Sequence, residues 1–377
     1  MQPFNGLAIR PRLLGRGTRW LTLCGLPFAA FGQSAPAVAP VPRDALELAK
    51  GQIQTATTSA SRDAALQLLA RARNFYQLRN SRQAWDLKVR FSVDSAGATN
   101  YDGDWQMEDV FAPGQGVHWT ATSSAGYSIT GIFASNATYA EGSSNAVPLR
   151  LQEARAALFN PLPSVAYAGT GSIRTVAVSF RGSPMTCVLW SRSRNISNPT
   201  AERGWDEAEE CVDPQTGLLQ VHSEIPGHYA VYEYLNGTQL GSHRLPQTVT
   251  ITEGGRVVSK ISVESLQGIG APDPSLFVPT EGMKAAGQAT AMTSATKVSR
   301  MQGGPYTRGM TVRPVCVFGM VTPTGQLVEA HSLQPSDPNS EAAIKDAQGI
   351  DFSPTMPTGG PPQQHFVFVI EKFVSQQ

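Results

Sequence analysis

The feature that most constrains this chain is a long series of short alternating segments between residues 85 and 266. In the first of them, Trp85, Leu87 and Phe91 alternate with polar residues, which is the period of a strand with one covered and one solvated face. Similar segments follow, separated by turn-forming pairs such as Pro113-Gly114. Strands at such short spacing predict an antiparallel meander.

Two helical segments accompany the meander. After Ser61, the residues Ala65, Leu68 and Ala72 follow the spacing of a helix that packs one apolar face. A second helical segment, over 148–160, interrupts the series of strands. We therefore predict the α+β class, with a curved antiparallel half-barrel sheet and packing helices.

Residues 61–280 resemble the LolA/LolB-type lipoprotein-carrier fold. The resemblance is carried by Cys211–Leu219, which reads Cys-x-Asp-Pro-x-Thr-Gly-Leu-Leu, and by the ending Asp273–Pro279. It implies a half-barrel domain over 61–280 whose concave face is suited to an apolar ligand.

The large apolar residues of the first strands are candidate contacts for such a ligand. On one side of a curved sheet they would form a concave pocket for a lipid or acyl chain. The alternative is an ordinary core closed by the helices at 61–78 and 148–160, and the sequence leaves both open. The candidates are Trp85, Leu87, Phe91, Trp105, Trp119 and Phe133.

The C-terminal stretch has a different pattern. An apolar strand over 315–321 leads into Thr322–Gly325, whose Pro and Gly lie at the positions of a type I turn, and a second strand follows. Asp337-Pro338 is a helix start, and Gly349 ends that helix. With a last strand over 366–373, this order predicts a small α+β domain over 309–377.

This order of strand, tight turn, strand, helix and final strand resembles the C-terminal domain of TonB, the periplasmic energy transducer of Gram-negative bacteria. One departure is that Gly304-Pro305-Tyr306 stands where the family has a Tyr-Pro motif. The resemblance implies an exposed strand to which an extended peptide of an outer-membrane or periplasmic protein adds through main-chain hydrogen bonds.

The final strand, His365 to Val374, is the predicted edge, and its partner-strand candidates are Phe366, Phe368 and Ile370. Two alternatives stay open. The edge is covered by other parts of the chain, or it pairs with its own copy in a homodimer.

The N-terminal residues 1–32 have the composition of a signal peptide. Four arginines and no acidic residue accompany the apolar run Trp20–Phe31, which at 12 residues is too short to span a bilayer comfortably. We predict cleavage before Gln33 and export to the periplasm, with a mobile segment over 33–60. The alternative is a retained short anchor.

Residues 281–308 are rich in small residues and show no periodicity, which predicts a linker between the two folded parts.

The cysteines fit an exported protein. Cys24 leaves with the signal peptide, Cys187 lies in a strand-like segment, and Cys211 lies just before a turn. A bridge between Cys187 and Cys211 would stabilise the fold by roughly 3–4 kcal/mol on the chain-entropy estimate. We predict this disulfide over the alternative of two buried thiols, and we predict that Cys316 is a small buried hydrophobe.

Charge and motifs exclude several classes of function. The net charge of +1 becomes about −3 without residues 1–32, with 26 basic against 29 acidic residues, so a nucleic-acid-binding surface is not expected. We predict no catalytic residues, no metal site and no cofactor, because the histidines lack metal-ligand spacing and no nucleophile or phosphate-loop motif occurs. His222 and His228, at loop ends, are predicted to be solvated. The same prediction holds for the acidic residues Asp102, Asp104, Glu108 and Asp109, and for Glu207, Glu209 and Glu210.

The sequence therefore favours a periplasmic non-enzymatic binding protein, whose tail engages an envelope partner and whose half-barrel is a candidate holder of an apolar ligand. The alternatives are a lipid or lipoprotein carrier with a purely structural tail, and a membrane-anchored energy transducer if the N-terminus is not cleaved.

Overall fold

The computed structural model of the chain describes residues 54–55, 58–95, 101–143, 147–163, 171–191, 203–205, 207–235, 238–289, 296–302, 310–322, 324–352 and 365–376. The predicted signal peptide lies outside these ranges, as does most of the segment 33–60. Among the described helices, none is both long enough and apolar enough to cross a membrane.

The first part of the chain forms a large antiparallel sheet. Its strands are β1 (Gln54–Thr55), β2 (Trp85–Val93), β3 (Gly103–Ala112), β4 (Gly116–Ser123), β5 (Ser128–Ala134), β6 (Ala137–Gly142), β7 (Ser172–Phe180), β8 (Ser183–Ser191), β9 (Ala208–Val212), β10 (Leu219–Ile225), β11 (His228–Glu233), β14 (Thr248–Glu253) and β15 (Arg256–Gly268). Two short strands, β12 (Gln239–Leu240) and β13 (His243–Arg244), pair separately.

The thirteen strands of the large sheet follow the order β1-β7-β8-β9-β10-β11-β14-β15-β2-β3-β4-β5-β6. Pairing of β15 with β2 joins the later strands to the earlier ones. The sheet is curved. It is also unclosed, because its end strands β1 and β6 do not pair with each other. The predicted antiparallel half-barrel is confirmed.

Two helices pack on one face of this sheet. Helix α1 (Ser59–Tyr76) begins at a capping box between Thr58 and Ser61, which satisfies main-chain donors at its start. It buries Ala65, Leu69, Ala72 and Tyr76 at helical spacing. Helix α2 (Leu149–Phe159) adds Leu151, Ala154 and Leu158 to the same core.

The C-terminal part forms a small sheet with one helix. Its strands are β16 (Thr296–Gln302), β17 (Met310–Val321), β18 (Leu327–Ser332) and β19 (His365–Gln376), in the order β16-β19-β17-β18. Helix α4 (Ser340–Gln348) covers one face by packing Ala343 and Ala347 on Val317 and Val367. The predicted succession of strand, turn, strand, helix and strand is confirmed.

The position of the final strand corrects two expectations. β19 pairs in parallel with β16 on one side and antiparallel with β17 on the other, so it is internal to the small sheet. An internal strand offers no free main-chain groups to a partner peptide or to a second copy. Phe366, Phe368 and Ile370 are buried, and they face the large sheet.

The strand that covers β19 comes from the segment predicted to be a linker. Residues 281–308 contain β16 and the short helix α3 (Glu281–Ala286), so the linker expectation is wrong in those two stretches. Val298 and Met301 are the only large apolar residues of β16, and this gives no strand period that sequence reasoning could detect.

The second face of the small sheet packs on the large sheet. Phe318 and Phe368 share a buried cluster with Leu149, at the start of α2, and with Ile225, at the end of β10. The small sheet is thus covered by a helix on one face and by the large sheet on the other.

The predicted disulfide is confirmed. Cys187 and Cys211 are directly opposed residues of β8 and β9, with an S–S distance of 2.02 Å. Cys316 is a buried free thiol, and burial raises its pKa well above the usual range.

Candidate functional site

A group of buried charged side chains lies where the small sheet meets the large one. We call it the junction cluster, and it contains Arg150, Glu153, His228, Glu253, Glu329 and His331. These residues come from α2, β11, β14 and β18, so the cluster exists only when both sheets are in place. It is the candidate functional site of the described part of the chain.

Arg150 is the centre of the junction cluster. Its Nη1 donates to Glu253 Oε1 at 2.6 Å and to Glu153 Oε2 at 2.9 Å, and its Nη2 donates to Glu253 Oε2 at 3.1 Å. Its Nε donates to Glu329 Oε1 at 3.2 Å. The guanidinium also lies 5.0 Å from the ring centroid of Phe318, a cation–π distance. One side chain therefore holds three carboxylates together.

The two histidines approach the same carboxylates. His228 Nε2 lies 3.1 Å from Glu153 Oε1 and 3.6 Å from Glu253 Oε1, and the His228 ring stacks on Phe318. His331 Nε2 lies 2.7 Å from Glu253 Oε2. The His331 side chain is 25% exposed, so the cluster reaches solvent on that side.

Hairpin register brings His228 and Glu253 together. His228 begins β11 and Glu253 ends β14, and the two are directly opposed across these strands. The turns that precede and follow them contain Gly227 and Gly254, both with positive φ. A Cβ on Gly227 would lie 2.8 Å from Leu333 Cβ, and one on Gly254 would lie 2.9 Å from the Ser332 carbonyl oxygen. Glycine at both turns thus lets the end of β18 approach.

Glu329 reaches the cluster from an irregular position in β18. The register of β17 and β18 shifts between Phe318 and Met320, and Glu329 has φ of +52° at this bulge. A non-glycine residue in the left-handed region costs on the order of 1 kcal/mol or more, which the ion pair with Arg150 offsets.

Burial and the arginine set the ionisation of the cluster. Burial opposes the charged form of Glu253, but the Arg150 guanidinium outweighs it and holds the pKa of that carboxyl well below its usual range. Burial raises the pKa of Glu329, and Arg150 offsets this only in part. Burial lowers the pKa of Arg150, yet Glu253 and Glu153 together raise it well above its ordinary value. Arg150 is therefore permanently charged.

Three residues of the cluster have the donor set of a metal site. Glu153, His228 and Glu253 each offer a ligand atom within 4.8 Å of the other two. A second group with similar spacing, Cys187, Glu209 and Cys211, does not fit a metal ion because its two sulfurs form the disulfide.

A second group of buried charges lies beside β9, and we call it the β9 cluster. Its members are Arg174, Arg203, Glu207 and Glu209. Arg174 Nε donates to Glu207 Oε1 at 2.7 Å, and Arg203 Nη1 donates to Glu209 Oε2 at 3.0 Å. Arg203 also donates to the Glu207 and Ser223 carbonyl oxygens.

These contacts correct the expectation that Glu207, Glu209 and Glu210 are solvated. All three are buried, and Glu210 Oε2 lies 2.9 Å from His222 Nδ1. The expectation of solvated histidines at 222 and 228 is wrong for the same reason: both pair with buried carboxylates. Their partners lie on other strands or helices, which the local sequence does not reveal.

Among the first group of acidic residues, the expectation is wrong for Asp109. Its carboxylate is buried and accepts two hydrogen bonds from Arg155 of α2, at 2.6 and 2.9 Å. Asp104 and Glu108 are exposed, as predicted, and Asp102 is half-buried and accepts from Ser95.

The candidate contacts for an apolar ligand meet on one face of the large sheet. Trp85 stacks on Phe111 and Phe159, and Phe91 stacks on Trp105. Trp119 lies against Gly131, where a Cβ would come within 2.0 Å of the indole. Five of the six are buried in the core, and the sixth, Phe133, packs against its margin: Trp85, Leu87, Phe91, Trp105, Trp119 and Phe133.

A cavity of about 610 Å³ lies on the other face of the same strands. It is lined mainly by polar residues such as Arg90, Gln106 and Lys260, and the candidates Phe91 and Trp105 also border it. Its chemistry differs from that of the apolar pocket expected from the sequence.

Comparison with known proteins gives partial structural matches. No family model and no curated protein sequence matches the chain. A putative outer membrane lipoprotein-sorting protein domain from Vibrio parahaemolyticus matches at 8% identity and a TM-score of 0.35, covering 57% of this chain and 97% of that one. A LolA superfamily protein from Nitrosomonas europaea matches at 12% identity with the same coverages and TM-score. MucB matches at 13% identity and a TM-score of 0.26, over 70% of this chain and 76% of its own.

These similar structures include the LolA superfamily that the pattern of residues 61–280 resembles. At these TM-scores the matches assign no function to this chain. The resemblance of the tail to TonB gains no support from the family models.

Proposed function

We propose that this protein is a non-catalytic binding protein of the bacterial periplasm, which holds an extended segment of a partner protein at the edge of its small sheet. The observation that carries the proposal is β16, a regular edge strand in the described part of the chain. Export is supported by the disulfide between Cys187 and Cys211, since such bonds persist in oxidising compartments.

β16 has the properties of a strand that accepts a partner. All seven of its residues pair with β19 without a register shift, and no other described strand pairs with its opposite side. Ser299, Arg300 and Met301 are exposed there. An extended peptide that adds to such an edge gains main-chain hydrogen bonds, and its side chains supply specificity. This proposal keeps the strand-addition mechanism and moves it from β19 to β16.

The opposite edge of the small sheet is less suited to the same role. β18 has a register shift beside Glu329, and α4 packs next to it. A bulge interrupts the ladder that an added strand would need, and natural edges are commonly protected in this way.

Charge on β16 indicates the kind of partner. Arg300 is 42% exposed and lies 3.6 Å from the buried Glu371 carboxylate, so part of its guanidinium faces solvent at the edge. An acidic residue in the partner strand opposite Arg300 would add a favourable cross-strand pair.

Site-specific cross-linking tests the proposal. A photo-reactive amino acid in place of Met301, which is 46% exposed on β16, is expected to form a discrete adduct with an envelope protein in intact cells. The matched control is the same replacement at Val328, which is 37% exposed on β18. An absent adduct at 301, or equal adducts at 301 and 328, would refute strand addition at β16.

A second candidate function is the binding of a lipid or acyl chain by the large sheet. It is supported by the shared face of Trp85, Phe91, Trp105 and Trp119 beneath the helices. Because Phe159 of α2 stacks on Trp85, a ligand there requires α2 to move. Mass spectrometry of an organic extract of the purified protein tests it: a stoichiometric lipid supports this function, and its absence removes it.

A membrane-anchored energy transducer depends on residues 1–32, which lie outside the described ranges. N-terminal sequencing of the mature protein decides this alternative, since an intact Met1 in the inner membrane is required for it.

A further inference from the structure

The junction cluster carries more buried negative charge than its permanent cation balances. The carboxylates of Glu153, Glu253 and Glu329 face a single guanidinium, that of Arg150. An uncompensated charge in a protein interior is strongly unfavourable. Apart from the histidines, the three carboxylates and the one guanidinium leave two negative charges, which one divalent cation would balance.

The hydrogen bonding of the junction cluster supports the same conclusion. Glu329 is 7% exposed, and its Oε1 accepts from Arg150. The other oxygen of that carboxylate, Oε2, is buried and has no hydrogen-bond partner among the described residues. A buried acceptor without a donor marks a place where a further donor or positive group would be stabilising.

The two distances from His228 Nε2 to the carboxylate oxygens suit ligands of one metal ion. His228 Nε2 lies 3.1 Å from Glu153 Oε1 and 3.6 Å from Glu253 Oε1. Ligands about 2.0–2.2 Å from Zn²⁺ are separated from one another by roughly 2.8–3.6 Å when the angles at the metal lie between square and tetrahedral values. The third separation, Glu153 to Glu253, is within 4.8 Å.

We propose that Glu153, His228 and Glu253 bind one divalent transition-metal ion, for which Zn²⁺ is the best match to one imidazole and two carboxylates. The ion lies between the two carboxylates and is bound by the unprotonated Nε2 of His228. The ion approaches past His331, which is the most exposed member of the cluster.

Arg150 would then hold the ligands rather than compete with the ion. Its bonds to Glu153 Oε2 and Glu253 Oε2 use carboxylate oxygens other than the two that lie nearest His228 Nε2, and its Nη1 also donates to Glu253 Oε1 at 2.6 Å, an oxygen that keeps a second lone pair for the ion. His331 also approaches Glu253 Oε2. Groups that hydrogen-bond to ligating carboxylates fix their orientation and raise metal affinity. Arg150 and His331 are therefore positioning residues, and the bound ion stabilises the contact between α2, β11 and β14.

Isothermal titration calorimetry with ZnCl₂ tests the proposal on the full-length protein, prepared without a histidine tag and freed of metal with EDTA. One ion per chain is expected. His228→Gln and Glu153→Gln are each expected to lower the affinity at least tenfold. The matched control is His243→Gln, a histidine of β13 outside the cluster, which should bind Zn²⁺ as the unchanged protein does.

A second measurement needs no variant, in case the substitutions prevent folding. Crystals soaked in Zn²⁺ are expected to show one anomalous peak at the zinc absorption edge within bonding distance of His228 Nε2. The proposal is overturned if the unchanged protein binds no Zn²⁺, if His228→Gln binds as tightly as His243→Gln, or if the peak lies elsewhere.

Discussion

The junction cluster and the β9 cluster are both groups of buried ions, and they differ in how their charges are matched. In the β9 cluster, Arg174 pairs with Glu207 and Arg203 pairs with Glu209, so the number of cations equals the number of carboxylates. In the junction cluster, one guanidinium serves three carboxylates.

This difference separates two uses of buried charge. A matched pair needs nothing more than its own hydrogen bonds, and its role is to keep the strands around it in register. An unmatched group is tolerated only where something else supplies positive charge, so it marks a site where an ion or a proton binds. On this comparison we expect the β9 cluster to serve the fold and the junction cluster to bind an ion.

The largest expected effect comes from removing the cation of the junction cluster. Arg150→Met leaves three buried carboxylates without their common partner, and we expect the free energy of unfolding to fall by about 3–5 kcal/mol or more. Urea denaturation with the disulfide intact measures it. Arg90→Met is the control, because the Arg90–Glu264 pair is exposed and should contribute below about 1 kcal/mol. Equal losses in the two variants would contradict the central role of Arg150.

Arg203→Met is the corresponding change in the β9 cluster. It leaves one buried carboxylate, Glu209, and two main-chain oxygens without their donor, so we expect a loss of about 3 kcal/mol in the same urea experiment. The loss should be smaller than that of Arg150→Met. A reversed order would mean that charge matching does not distinguish the two clusters.

Removing one carboxylate from each cluster should distinguish the two clusters more clearly by the loss in the free energy of unfolding. Glu209→Gln leaves Arg203 without the carboxylate that pairs with it among the described residues, and a loss of about 2 kcal/mol is expected. Glu329→Gln takes away surplus negative charge in the metal-free protein, so a change below about 1 kcal/mol is expected. Urea denaturation of the two variants side by side checks this, and similar losses would remove the distinction.

The smallest expected effect concerns the pair Glu210–His222, which adjoins the β9 cluster but is not one of its ion pairs. Burial lowers the pKa of His222, but Glu210, assisted by Glu224 and opposed by Arg203, outweighs it and raises the pKa above the usual value. A histidine with a raised folded-state pKa contributes stability that is complete below its unfolded pKa of about 6.5 and is lost as the pH rises through the folded value.

The free energy of unfolding of the unchanged protein should therefore be higher than that of His222→Gln, and this difference should be larger at pH 6 than at pH 9. Burial raises the pKa of Glu210, but this carboxyl is present in both proteins, so the pH dependence of the difference between them is assigned to the histidine. Between pH 6 and pH 9 this difference in the free energy of unfolding is expected to change by less than about 1 kcal/mol. Urea denaturation at both pH values measures it, with His243→Gln as the control. A difference that grows with pH would contradict the assignment.

Local sequence patterns were sufficient to predict the strands in which apolar and polar residues alternate. The period of two from Trp85 to Phe91 and the turn at 322–325 predicted strands that the structure contains. The disulfide was also predicted, because one cysteine lay in a strand and the other next to a turn. The strand β16 was missed, since its seven residues carry no alternation and its pairing with β19 is made 71 residues further along the chain.

The charged residues were the main errors, and the cause is physical. His228, Glu207 and Asp109 lie beside turns or among polar residues, which predicts solvation, yet each is buried against a partner from a distant part of the chain. No local window contains both members of such a pair. Arg150 gave no signal because a single arginine near the start of a helix is ordinary on a protein surface.

The sequence alone determined the α+β class, the long antiparallel sheet with its packing helices, and the order of elements in the tail, because apolar periodicity and turn residues act over a few neighbouring positions. Only the tertiary structure decided which strand is an edge and which charges are buried. Both depend on contacts between residues far apart in the chain, and the free energy of a buried charge is set by the partners that folding brings to it.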